Sequence, residues 1–340
     1  MAKNTYKVCI IKGDGIGPEV ISEALKLLIS LPLSFQFLEA RAGYDCYLKT
    51  GKPLPEDTVK KCKETTAILF GAVTTPPNIR NYFSPIVKLR KILALYANVR
   101  PFFSLPLSYL RQDINFIIVR ENTEDLYIGR EKLTLEGAMA ERIITKKGSK
   151  KIIDFAFKLA KDKKRKKVTV VHKANILRLT DGLFLETAKM IAKDYPQLIM
   201  EDMLVDTVAM NLIKKPDEFD VIVTTNMFGD ILSDEAAALV GGLGVAAGAN
   251  LGDRHALFEP VHGSVPKYQG QNRVNPIACF FAVVMMLEFL QEWQYASYIR
   301  QSILKVIKNR CITADLGGKA TTHEVTQEVI KVLKRDYVYH

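Results

Sequence analysis

No stretch of this chain is apolar for long enough to cross a bilayer. The nearest candidate, residues 277–287, is closed by Glu288 and reads as a buried helix. No apolar leader follows the opening Met-Ala-Lys-Asn-Thr, which runs straight into a strand-like segment. The five cysteines, Cys9, Cys46, Cys62, Cys279 and Cys311, are scattered and form no CxxC pair. That pattern excludes a disulfide scaffold and a cysteine-built zinc site, and a cytoplasmic location is expected. Internal repeats and low-complexity linkers are absent too. Aromatic residues are missing from the two lysine-rich runs, KKGSKK (146–151) and KDKKRKK (161–167). They flank a helical pattern and read as solvated surface, so neither nucleic acid nor membrane is expected as a partner.

What is present is positive charge, 48 Lys and Arg against 37 Asp and Glu, a net of +11. Such a field concentrates small polyanions. At 340 residues the chain can build two core-forming lobes. Short β-branched runs alternate with amphipathic helical patterns throughout, which predicts an α/β protein. Strands are expected at 6–12, 35–40, 67–70, 115–120, 168–172, 200–205 and 221–224. Helices are expected at 20–31, 56–64, 152–161, 183–193, 208–213, 231–240 and 275–290. The glycine cluster at 241–252 reads as a crossing between lobes. The segment GDGIGPE imitates a dinucleotide fingerprint, but its spacing is GxGxG rather than GxGxxG. No acidic residue is expected to end the second strand, and Pro18 should open the first helix. A Rossmann domain is therefore not expected.

The dodecapeptide TTNMFGDILSDE (224–235) carries the densest chemistry. Asp230 and Asp234 stand one helical turn apart on one face. Like charges repel there, so either both are solvated or they hold a hard divalent cation such as Mg²⁺ or Mn²⁺. Asp206, at the end of the 200–205 strand, offers a third carboxylate. Arg90, Arg100 and Arg120 are expected at strand or loop edges, where planar guanidinium forks grip carboxylates; a cluster of them implies a di- or tricarboxylate. Tyr127 and Lys173 are the proton-transfer candidates. Lys173 follows a buried strand, where partial desolvation would make its proton easy to lose. The segment 258–276, rich in Gly and Pro, could hold an adenosine and its phosphates with His262, Lys267, Tyr268 and Asn275.

In order along the chain, GDGIGPE, LRK…LYANVRP, VRENTEDLY, HKAN, TTNMFGDILSDE, EPVHGS and DLGG resemble the β-decarboxylating dehydrogenases. That family comprises the isocitrate, homoisocitrate and 3-isopropylmalate dehydrogenases. The resemblance implies a two-lobed α/β fold around one mixed sheet, with residues 1–101 plus 247–340 as the cofactor-binding domain. Residues 102–246 would form a small domain with the dimer interface. It implies oxidation of a 2-hydroxy acid followed by loss of its 3-carboxylate as CO₂. Arg90, Arg100 and Arg120 would bind substrate carboxylates, and Asp206, Asp230 and Asp234 a divalent metal. Lys173 would serve as base and Tyr127 as proton donor to carbon. Asp206 and Lys173 would come from the partner subunit, so the active site requires a homodimer, with the pairing of dimers into a tetramer left open. Thr74, Asn175, His262, Gly263, Ser264, Lys267, Tyr268, Val274 and Asn275 would contact the cofactor. Where NAD enzymes of the family carry an aspartate, this chain has Lys267 followed by Tyr268, which suits the 2′-phosphate of NADP; NAD is the alternative. SPIVKLR, with Ser84 and Val87 expected against the substrate, is similar to the homoisocitrate dehydrogenase version. Isocitrate and 3-isopropylmalate are the alternative substrates. A catalytically silent regulatory subunit would be expected to lose some of these residues, and none is lost here.

Overall fold

The computed structural model describes residues 5–79 and 82–338; residues 1–4, read above as lacking a leader, lie outside that range. The first half of the chain runs β1 (Thr5–Gly13), α1 (Gly17–Ile29), β2 (Ser34–Ala40), α2 (Tyr44–Thr50), α3 (Glu56–Lys63), β3 (Ala67–Ala72), α4 (Pro85–Ile92), β4 (Ala97–Phe103), β5 (Asn115–Glu121), β6 (Glu131–Leu133), β7 (Ala138–Ala140) and α5 (Lys146–Asp162). It continues with β8 (Lys167–His172), α6 (Thr180–Ala192), β9 (Ile199–Leu204), α7 (Val205–Lys214), β10 (Val221–Thr224), α8 (Asn226–Leu239), β11 (Ala247–Leu251), β12 (Ala256–Pro260), α9 (Ile277–Phe289), α10 (Trp293–Lys308) and α11 (Thr322–Leu333).

Ten strands form one mixed sheet in the order β2-β1-β3-β12-β11-β4-β5-β10-β8-β9, with β6 and β7 making a separate hairpin. β12, β3, β1 and β2 run parallel, and so do β5, β10, β8 and β9. Between the two sets, β11 and β4 pair antiparallel with their neighbours. The two parallel halves therefore point in opposite directions, which a single doubly wound sheet does not do. The buried strands read as near-continuous apolar runs because helices cover both faces. One core gathers α1, α8, α9, α10 and α11 around Val8, Leu69, Phe258 and Phe280. A second fills the space under α5 and α6 around Val170 and Val223, and a third lies under α3 and α4 around Phe70 and Leu89. Helix α9, buried along most of its length, matches the helix expected at 275–290.

Several expectations shift. The glycine cluster does not end the regular structure, because its second half is β11, in the middle of the sheet. The run 146–151 forms the opening turns of α5 rather than flanking it. Glu39 does stand next to last in β2, bonded to Lys12, so the acidic residue thought absent is there. The GDGIG turn keeps its glycines for sterics. Gly13 and Gly15 have φ of 75° and 57°, and a Cβ on Gly17 would lie 2.2 Å from the Lys12 carbonyl oxygen. Helix α1 opens at Gly17, one residue before Pro18.

Candidate active site

The sheet register lays polar side chains across its central strands. Arg120 on β5 pairs with Asn98 on β4, which pairs with Asn250 on β11, so all three share one face. Arg100 lies two residues along β4 from Asn98, on the same face. Its place in mid-strand, not at an edge, is tolerated despite Pro101, because β11 pairs only with residues 97–99. Arg90 reaches the same area from the last turn of α4, a helix rather than a loop. Helix α8 borders them with Asp230 and Asp234. A Cβ on Gly229 would lie 2.6 Å from Arg120 Cγ, so the missing side chain is what lets Arg120 lie against α8.

The three arginines are buried and held by hydrogen bonds. Arg120 donates through Nε (3.0 Å) and its terminal nitrogen (2.7 Å) to Asn226 Oδ1, and its other arm grips Asp230. Arg100 donates to Asn98 Oδ1 (2.8 Å) and Ser233 Oγ (2.6 Å), with Asp230 at 3.7 Å and Asp234 at 3.5 Å. Arg90 pairs with Glu259 at 2.9 Å, and Asn250 donates to the same oxygen at 2.8 Å. The Tyr127 hydroxyl donates to Asp230 Oδ2, while the Arg120 guanidinium stacks 4.9 Å from the Tyr127 ring centre. The three arginines, Tyr127, Asp230 and Glu259 line a cavity of about 200 Å³ with Ile86, Gly71, Val261 and His262 on its other walls.

The electrostatics follow from burial set against that charge cluster. Desolvation lowers the Arg100 guanidinium to about 10, and burial lowers Arg120 as well. Burial also raises the Tyr127 hydroxyl, so it holds its proton at neutral pH. Burial opposes the Asp230 carboxylate, but Arg120, the Tyr127 hydroxyl and Arg100 outweigh it and its pKa falls. Asp234 moves the other way, because burial and Asp230 outweigh Arg100. The paired aspartates are thus driven apart in proton affinity.

Other sequence-derived candidates lie outside this cluster. Asp206 opens α7 rather than ending a strand, and it binds Lys173, which follows β8. Neither lines the cavity, and among the described residues no three His, Cys, Asp or Glu side chains of one chain gather as a metal site. Asp230 and Asp234 supply hard oxygen donors of the right kind, so one chain offers two of the three expected ligands. Asn175 is exposed on the turn after Lys173. Ser84 and Val87 do not line the cavity; from α4 it is Ile86 and Arg90 that do.

The cofactor candidates divide similarly. Thr74 Oγ1 and Ser264 Oγ are 2.6 Å apart, and the Thr74 backbone N–H donates to Asp14, whose carboxylate also caps α2. Gly263 and His262 line the cavity. His262 Nε2 is buried without a partner among the described residues, and desolvation lowers the ring's pKa despite its contact with the Gly263 carbonyl. Asn275 donates to Asp315 at 3.0 Å, and Val274 is a buried anchor for α11. Tyr268 lies between two cations, Lys267 Nζ 4.8 Å and Arg273 Cζ 4.9 Å from its ring centre. Arg273 escaped the sequence reading, although its position in GQNRVNP beside Lys267 was the available signal. Asn98, Asn250 and Glu259 were missed because their roles depend on cross-strand register, and Gly229 because its role depends on how closely α8 packs on Arg120. A larger crevice of about 620 Å³ under β2 holds none of the candidates, and its Lys12 and Lys61 are already paired.

The family model for isocitrate/isopropylmalate dehydrogenase matches residues 7–330. A homoisocitrate dehydrogenase of Methanocaldococcus jannaschii is 50% identical, over 97% of this chain and 98% of its own. An isocitrate/homoisocitrate dehydrogenase of Thermus thermophilus is 46% identical, over 97% and 99%. Among solved structures, an isocitrate dehydrogenase from Methylococcus capsulatus superposes with a TM-score of 0.94 at 41% identity, covering 97% of this chain and 99% of its own. The chain belongs to the isocitrate/isopropylmalate dehydrogenase family, whose members oxidise and decarboxylate small hydroxy acids with NAD(P) and a divalent metal.

Proposed function

We propose that this enzyme converts homoisocitrate to 2-oxoadipate with reduction of NADP. The observation that carries this reading is the convergence of Arg90, Arg100 and Arg120 on one cavity with Tyr127 and Asp230. Three buried guanidinium groups suit a substrate with several carboxylates. Arg100 is fixed by Asn98 and Ser233 at the cavity wall, with its other terminal nitrogen 3.7 Å from Asp230. Tyr127 keeps its proton and delivers it to the substrate carbon after CO₂ leaves. Lys173, oriented by Asp206, takes the proton of the 2-hydroxyl. Asp230, Asp234 and the partner's Asp206 would hold a divalent cation, which would supply Lewis acidity to the substrate oxygens. The segment around Thr74, His262 and Ser264 would hold the nicotinamide cofactor, which would supply the hydride acceptor.

The placement of Lys173 and Asp206 outside the cavity supports a homodimer whose sites are shared between subunits. Exposed apolar side chains on the same half of the sheet, including Ile176, Leu179, Ile213 and Ile231, provide the surface such a dimer would bury. On this reading residues 102–246 form the interface domain and 1–101 with 247–340 the cofactor domain. Lys267 and Arg273 around the Tyr268 ring support NADP, because two cations favour a 2′-phosphate.

The test is reduced-cofactor formation with homoisocitrate, isocitrate and 3-isopropylmalate, each with NADP⁺ and NAD⁺ and with Mg²⁺ present. Turnover highest with homoisocitrate supports the reading. A preference for 3-isopropylmalate is the second reading, and Ile86 on the cavity wall favours it. Absence of turnover with every pair would leave a regulatory subunit. The K267D variant is expected to lose at least tenfold in kcat/KM with NADP⁺ relative to NAD⁺; an unchanged ratio would remove Lys267 from the 2′-phosphate site.

A further inference from the structure

The residue that ties the site together is one that neither the motifs nor the cavity reveals. Arg142 lies between the β6–β7 hairpin and α5 and is almost buried, with 14% of its side chain exposed. Its Nε donates to Asp125 Oδ1 at 2.7 Å, and one terminal nitrogen donates to Asp181 Oδ1 at 2.5 Å and Thr180 Oγ1 at 2.8 Å. The other donates to Thr225 Oγ1 at 3.1 Å, and the guanidinium stands 5.4 Å from the Phe228 ring centre on α8. Both carboxylates it joins are fully buried.

Each of those carboxylates leads to a proton-transfer candidate. Asp125 sits at a φ of 67° two residues before Tyr127, and accepts the Leu126 N–H (2.9 Å) and the Met227 N–H (3.1 Å). It thereby fixes the Tyr127 turn against the start of α8. Asp181, with its second oxygen, accepts the backbone N–H of Lys173 at 2.6 Å. One guanidinium thus holds the turn that carries Tyr127 and the turn that carries Lys173, with fork geometry that a lysine cannot reproduce.

We propose that Arg142 is a positioning residue that sets Tyr127 and Lys173 together, and so couples the two active sites of a dimer. This rests on the reading above, in which a subunit's Tyr127 serves its own site and its Lys173 the partner's. A lesion at Asp125 then harms the site of its own subunit, a lesion at Asp181 harms the partner's site, and a lesion at Arg142 harms both. Among the described residues Arg142 shares no hydrogen-bond partner with Arg90, Arg100 or Arg120, so substrate binding should be spared.

The test uses full-length dimers assembled from two differently tagged chains, with kcat and KM measured for each. As a control, a Y127F/K173M hybrid should keep about half of wild-type turnover, since both lesions fall in one site. The D125N and D181N homodimers are expected to lose kcat tenfold or more, with KM within twofold of wild type. The D125N/D181N hybrid should return to about half of wild-type turnover, while an R142Q/wild-type hybrid falls well below half. A live control with a D125N/D181N hybrid as weak as its parents overturns the clamp alone. So does an R142Q/wild-type hybrid that keeps half of the turnover. A dead control overturns the shared-site reading and the proposal with it. Because R142Q leaves two buried carboxylates without their cation and threatens folding, the D125N/D181N hybrid decides by itself if R142Q yields no protein.

Discussion

His262 shows how burial alone makes a residue pH-sensitive. The folded chain holds its ring below the ordinary value of 6.5, because desolvation outweighs the Gly263 carbonyl and Asp315. Between the folded value and 6.5 the unfolded chain binds a proton that the folded chain refuses. The stability involved is therefore fully present above pH 6.5 and is lost as pH falls toward the folded value. The expected outcome is an unfolding free energy that rises with pH as pH approaches 6.5 from below in the wild type, with a shallower rise in H262Q. Equal slopes in chemical denaturation would show that the ring titrates as it does in water. The same scale marks the limit of legibility in the sequence. Asp230 and Asp234 could be read from their spacing, whereas the partners of Arg142 lie 17, 39 and 83 positions away and carry no local signal.

At the scale of elements, α8 is a helix shaped by one missing side chain. With Gly229 replaced by alanine, the new Cβ would meet Arg120 Cγ at 2.6 Å and Arg120 Cβ at 2.7 Å. Either the β5 strand end or the helix must shift, and Arg120 then leaves Asp230. G229A is expected to raise the substrate KM at least tenfold, because a carboxylate contact worth about 1.5–3 kcal/mol is disturbed. Steady-state kinetics beside an unfolding curve separate that effect from simple instability. Elements with a strong period, such as α5, β8 and β10, were legible. β4, β11 and β12 were not: proline interrupts β4, and β11 is built from Ala, Gly and Asn with little β-preference. Of the helices not expected, α2, α4, α10 and α11, the second and the last carried plain signals: Ser84 before Pro85 for α4, and the capping box from Thr321 to Glu324 for α11.

For the whole molecule, the continuous sheet makes the two parallel halves one body, yet it leaves one edge rich in exposed apolar side chains. Leu179 is 88% exposed and Ile176 70%. Sedimentation of the wild type is expected to give a dimer, and L179D is expected to shift it toward monomer with loss of turnover. A monomeric wild type that turns over substrate would contradict shared sites. The α/β class was foreseeable from the alternation of patterns, and the mixed sheet only from the family resemblance. The reversal of direction at β11 and β4 was not, because strand direction is set by contacts between residues some 150 positions apart.

The grip of Arg120 and Tyr127 on Asp230 makes that aspartate an intramolecular competitor. It meets the arginines at an effective concentration no free acid can match, so an incoming substrate must displace it before its own carboxylate can bind. Anything that draws Asp230 and Asp234 away lowers that barrier. Divalent cation and substrate should therefore assist each other's binding, and linkage requires the enhancement to be the same factor whichever is added first. Calorimetric titration in both orders measures that factor. Applied to D230N, the same titration should find the substrate binding more tightly without cation than it does in the wild type, and nearly indifferent to Mg²⁺.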